Sequence, residues 1–230
     1  MSAKDTLFKN AEYRHIFDDL AMLTAKGKTS QPFIPLIPED WGSANSDKII
    51  WYGAATNGWD EGNEPADFKF YEANKKNEEW LEKEFKQRNN RPFWNVQRKC
   101  LNHIGAKLEQ AIWSNIYKVG GLESDNKGIP PKPLQDKQSE LCLRAFQIEL
   151  DILKPKLVVL HVGSLTDSIL HELAGPWAEW EKYKAEGKDL AAHKHYKGCN
   201  LIWLSRSYSI KLDDYKSGFE WCIENLKNRS

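Results

Sequence analysis

Four short apolar runs, each ending in small or polar residues, punctuate the chain: IIWYGAATNGW (49–59), AIWSNIYKVGG (111–121), PKLVVLHVGS (155–164) and NLIWLSRSYS (200–209). Runs of this length bounded by turn signals predict buried strands. Between them, apolar residues recur at helical spacing. Leu7, Phe8, Ile16, Phe17, Leu20 and Leu23 predict one or two capping helices over 6–26. Phe70, Tyr71, Trp80, Leu81 and Phe85 predict a charged helix over 69–87, and Phe93, Val96, Cys100, Ile104 and Leu108 a second over 91–108, with Pro92 near its start. Further helices are expected over 139–153, 165–173 and 213–227. The Pro-containing stretch 31–48 reads as a surface loop, 122–138 as a long loop of the kind that contacts ligands, and 176–197 as a charged, partly helical insertion.

Alternating strands and helices predict an α/β domain with helices on both faces of a short parallel sheet. In such sheets the loops at the carboxyl ends of the strands line the ligand crevice. Four strand ends are thus expected to converge on one site.

Length and composition narrow the class. The 230 residues suit a single domain, with 1–47 as a helical cap and loop. Lys plus Arg and Asp plus Glu are both 33, so the net charge is zero, which argues against non-specific coating of nucleic acid but not against a local basic face. No apolar run reaches membrane-spanning length and no signal peptide is evident, so a cytoplasmic protein, a monomer without membrane contact, is expected. Cys100, Cys142, Cys199 and Cys222 form no CxxC pair and read as ordinary buried thiols. His193-Lys194-His195 reads as a surface pair, and His103, His161 and His171 form no nucleophile arrangement. No metal site, no organic cofactor, no Walker loop and no GxGxxG motif are expected.

The segment IYKVGG-loop-SELCLRAFQIELDILKPKLVVLHVG resembles part of the uracil-DNA glycosylase superfamily, closest in pattern to its iron–sulfur bacterial and archaeal branches. Asn115 matches the strand-end Asn that recognises the base, Glu140 and Cys142 match a helix start, and Lys154-Pro155-Lys156 introduces the next strand. The resemblance follows the order of elements over 48–225 and is specific over 111–163. It implies a three-layer α/β/α sandwich with a mainly parallel four-stranded sheet. The chain departs from the family motifs. Gly53-Ala54-Ala55-Thr56-Asn57 stands where forms such as GQDPY, GEAPG or GMNPG occur, Ser205-Arg206-Ser207 replaces His-Pro-Ser, and Val119 stands where a cluster Cys would fall, so no cluster is expected.

The resemblance implies a DNA glycosylase that hydrolyses the N-glycosidic bond of a flipped uracil-like or modified pyrimidine, in repair or anti-phage defence. Asn115 would read the base edge, with Trp59 or Phe70 stacking on it. Asn57 would orient water and Asp60, with Glu61, would act as base or stabilise the oxocarbenium ion. Arg206 would stabilise the base oxyanion or clamp phosphate. Ser205, Ser207 and a basic edge from Lys118 to Lys137 would contact DNA phosphates, and Tyr208 would wedge into the duplex. The opened loop around Asn57 implies a pocket for a larger base. The partner would be DNA, whether single-stranded, damaged or modified. Two other readings stand beside this one: an inactive member of the fold that binds nucleic acid or a protein, and a nucleoside hydrolase or other small-molecule α/β enzyme.

Overall fold

Strict alternation along three largely buried strands creates two cores. Ile50, Tyr52, Val158, Leu160, Leu201 and Trp203 face one way; Ile49, Trp51, Leu157, Val159, Ile202 and Leu204 face the other. A strand buried on both sides must be apolar at every position, which is why these runs show no polar alternation. The structure is a computed structural model that describes residues 1–43, 48–55, 68–87, 92–122, 129–162, 167–206 and 210–227.

Among the described residues there are seven helices: α1 (Ala3–Lys9), α2 (Ala11–Ala21), α3 (Phe70–Gln87), α4 (Pro92–His103), α5 (Lys132–Leu153), α6 (Asp167–Ala174) and α7 (Leu212–Lys227). The strands are β1 (Ile49–Gly53), β2 (Ile112–Asn115), β3 (Leu157–His161), β4 (Glu181–Ala185), β5 (Lys188–Tyr196) and β6 (Cys199–Leu204). They form one sheet in the order β2-β1-β3-β6-β5-β4. The β2-β1, β1-β3 and β3-β6 pairs are parallel, whereas β6-β5 and β5-β4 are antiparallel. Residues of α1, α2, α5 and α6 join the first core, and those of α4 and α7 the second.

Four expectations are corrected. The sheet has six strands rather than four, because the charged segment 176–197 is not helical beyond a single 3₁₀ turn at Trp177–Glu179. It forms β4 and β5, which fold onto β6 through two tight turns. Each turn places a charged residue and a glycine at positive φ, Glu186-Gly187 (52° and 76°) and Lys197-Gly198 (45° and 80°). Two consecutive positive φ angles give the turn twist that matches a hairpin. His193, expected at the surface, is buried within that hairpin beside Glu181 at 3.5 Å and against the Trp221 ring.

The 122–138 loop is shorter than expected, since α5 begins at Lys132 with Pro133 in its first turn, where a missing N–H costs nothing. The 31–48 loop does not simply cross the surface. Phe33, Ile34, Leu36 and Ile37 are buried. Backbone N–H groups of Ser30, Phe33 and Leu36 donate to the carbonyls of Gly120, Lys118 and Trp113. This strap satisfies the open side of β2, which would otherwise be an exposed sheet edge.

Candidate functional site at the carboxyl edge of the parallel strands

The four parallel strands end side by side. Register pairs Gly53 with Asn115 on one side and His161 on the other, and His161 with Leu204. Ser205 and Arg206 follow directly, both half-buried, and the Ser205 N–H donates to Leu190 in β5. The convergence read from the sequence is present.

Asn115, Gly53 and His161 lie on neighbouring strands with their positions facing α4 and α7. Gly53 is a close-approach position: a Cβ there would stand 2.6 Å from Oδ1 of Asn115 and 3.5 Å from the Phe93 ring. The Asn115 carboxamide therefore lies over bare backbone. Asn115 is 1% exposed and its Nδ2 has no hydrogen-bond partner among the described residues. An unpaired buried amide is costly, on the order of 1–3 kcal/mol.

His161 is enclosed by aromatic rings. Phe93 stacks parallel to it (centroids 5.5 Å, 3° between planes), and Trp51 and Tyr215 meet it edge-on at 6.1 and 5.3 Å. Burial, reinforced by the positive charge of Arg206, pulls its pKa down from 6.5 to about 3. It is neutral at physiological pH, and its Nδ1 is buried with no partner among the described residues. A neutral imidazole offers one donor and one acceptor, and does not act as a general acid near pH 7. The edge thus combines an amide, a neutral imidazole, a half-buried aromatic ring and a guanidinium, a set suited to holding a planar polar ring.

Other expected residues are distributed differently. Asn57, Trp59, Asp60, Glu61, Ser207 and Tyr208 lie outside the described residues. Phe70 does not face the Asn115 side of the sheet. It opens α3 and packs edge-on against Phe8 and Phe17, 5.3 Å from each, in the core of the opposite face. Ala54 and Ala55 are buried in that same core.

Lys118 is no phosphate contact. It is fully buried, and its Nζ donates to Glu149 Oε1 and Ser114 Oγ, each at 2.7 Å. The Tyr13 and Tyr52 hydroxyls donate to the two Glu149 oxygens at 2.7 and 2.6 Å. Burial and the Glu149 charge push both phenols well above their usual pKa, so they remain donors. The network ties α2, β1, β2 and α5 together and satisfies a charge pair that would be prohibitive at this depth without such bonds. Lys132 and Lys137 on α5 are exposed, Lys132 being paired with Asp136 at 2.7 Å.

Two members of the edge were not identified from the sequence. His161 was legible as part of the third apolar run, whose end lies at the sheet edge, whereas Asn115 was singled out by the family resemblance. Phe93 was not, because its apolar spacing marks it only as a helix-face residue. Among the described residues, no three His, Cys, Asp or Glu side chains are grouped to hold a metal ion, and no helix is long and apolar enough to cross a membrane. No family model and no curated protein matches this sequence.

Proposed function

We propose that the chain is a DNA glycosylase, built as a three-layer α/β/α sandwich of the uracil-DNA glycosylase kind, acting on a flipped uracil-like or modified pyrimidine. The observation that carries the reading is Asn115: a buried carboxamide at the end of a parallel strand, held over Gly53, with Nδ2 donors awaiting an acceptor. A pyrimidine carbonyl supplies that acceptor, and Phe93 rather than Phe70 is the described ring that would stack on the base. In the reaction, water oxygen bonds to C1′ as the C1′–base bond breaks. The departing base carries negative charge until it takes a proton, and Arg206 would stabilise that charge without delivering the proton. Asn57 and Asp60 would position and activate the water, and Trp59, Ser205, Ser207 and Tyr208 would contact base and backbone.

A second reading, an inactive member of the fold that binds nucleic acid, is favoured by one observation. Ala54 and Ala55, which align with the family's polar catalytic positions, are buried in the core and bring no reactive group.

The test is abasic-site formation on DNAs carrying uracil, mismatched thymine, deaminated purines, or hydroxymethylated and glucosylated cytosine. Release from a pyrimidine substrate is expected, reduced about a hundredfold or more in Asn115→Ala and in Arg206→Ala. Binding without release from any DNA would leave the second reading. Neither binding nor release would refute both.

A further inference from the structure

The opposite end of β2 holds a separate feature. A cavity of about 240 Å³ opens between the strap, α4 and the start of β2. This is below the roughly 300–1,000 Å³ of drug-sized pockets and suits a single ring. Trp94 and Trp113 form one corner, their rings nearly perpendicular with centroids 4.8 Å apart. Leu36, held by backbone hydrogen bonds to Trp113, forms a fixed apolar wall.

Into this apolar lining α4 contributes one amide. Gln97 is 1% exposed, and its Nε2 has no hydrogen-bond partner among the described residues. A ligand that places an acceptor on an apolar ring satisfies both the donor and the walls. Charge further selects the ligand. The rim carries Glu78 and Glu109, and among the described residues no Lys or Arg lines the cavity. Glu78 already pairs with Lys4 at 2.6 Å, so Glu109 is the main source of repulsion for an anion.

We propose that this cavity binds a small, uncharged or cationic ring compound that presents a hydrogen-bond acceptor to Gln97, the chemical class of primary aryl amides and free heteroaromatic bases. An aromatic guest would meet Trp94 and Trp113 in the edge-to-face and stacked geometries that aromatic pairs prefer. The site is independent of the glycosylase reading, since it shares none of the residues assigned to base recognition.

Three probes with the same ring separate the contributions: benzamide, toluene (no acceptor) and benzoate (acceptor, negative charge). Each is titrated into the full chain, following the Gln97 side-chain amide and the Trp94 and Trp113 indole signals by nitrogen-15 NMR. Benzamide is expected to shift all three, with toluene bound about threefold to tenfold more weakly, as loss of one neutral hydrogen bond implies, and benzoate more weakly than benzamide. In Gln97→Met, which keeps the side-chain volume, benzamide and toluene are expected to bind alike. No shift with millimolar benzamide in the folded protein would overturn the site. A benzamide preference that survives Gln97→Met would overturn the role of Gln97. Benzoate binding as tight as benzamide would overturn the charge selection.

Discussion

Glu149 and His161 show two ways a buried polar side chain is accommodated in this chain. Glu149 stays satisfied because Lys118, Tyr13 and Tyr52 each bring a donor to it. His161 instead stays neutral, which carries a pH signature. An imidazole in the unfolded chain takes a proton near pH 6.5, whereas in the fold it does so only near 3. Between those values the unfolded state binds more protons. Stability is therefore full above about pH 6.5 and falls as the pH drops towards 3, by up to about 1.4 kcal/mol per pH unit from this group. Urea unfolding at pH 6.5 and pH 4.5 is expected to show a drop smaller in His161→Phe than in the parent by up to about 2–3 kcal/mol. Equal drops would mean that His161 does not carry this acid sensitivity. Asn115 was legible through the family resemblance, which places a base-reading Asn at a strand end; the apolar run alone extends past it, and the strand is seen to stop there only in the fold. Lys118, three residues later, was misread as a DNA contact. A lysine in a loop points into the core or out to water according to which partners the fold brings to it, and Glu149 is 31 residues away.

Among the elements, α7 followed its apolar spacing closely, whereas α4 stops at His103, short of the expected 108. The hairpin of β4 and β5 did not follow its expected form. Its residues, EKYKAEGKDLAAHKHYKG, are rich in Lys, Glu and Ala, all good helix formers. What decided against a helix is β6, whose second edge β5 pairs over six residue pairs from Ala191–Leu204 to Tyr196–Cys199. Strand preference depends on such neighbours more than on intrinsic propensity. The local trace of the hairpin was the pair of Xaa-Gly turns. Glu186 and Lys197 each adopt the left-handed region, which costs a residue with a Cβ about 1–2 kcal/mol and asparagine less. Glu186→Asn and Lys197→Asn are each expected to stabilise the protein by roughly 0.5–1 kcal/mol, read as a raised urea midpoint at unchanged slope. A lowered midpoint in both would argue against these turns.

For the whole molecule, the two cores distribute the cysteines between opposite faces of the sheet: Cys142 and Cys199 in one, Cys100 and Cys222 in the other. All four are free and buried. Burial raises every thiol pKa, that of Cys199 to about 11 and Cys142 to about 12. Thiolate is the reactive form, so all four are expected to resist Ellman's reagent at pH 8 in the native protein and to react together on unfolding. Rapid labelling of one thiol in the native protein would show that its face of the sheet opens locally.

The sequence by itself determined the alternating order of strands and helices, the four parallel strands and their common carboxyl edge, because buried strands and amphipathic helices write their periods directly into local apolar spacing. Asn115 was marked as a strand-end residue through the family resemblance rather than by apolar spacing. Only the tertiary structure decided that the sheet continues through β5 and β4, that the 31–38 strap seals β2, that Lys118 belongs to the core, and that Phe93 and His161 join Asn115 around Gly53. Apart from the hairpin strands, which pair with their neighbours in the chain, each of these rests on a partner distant in the chain. Local spacing records whether a side chain prefers burial, but not which distant group will be there to meet it.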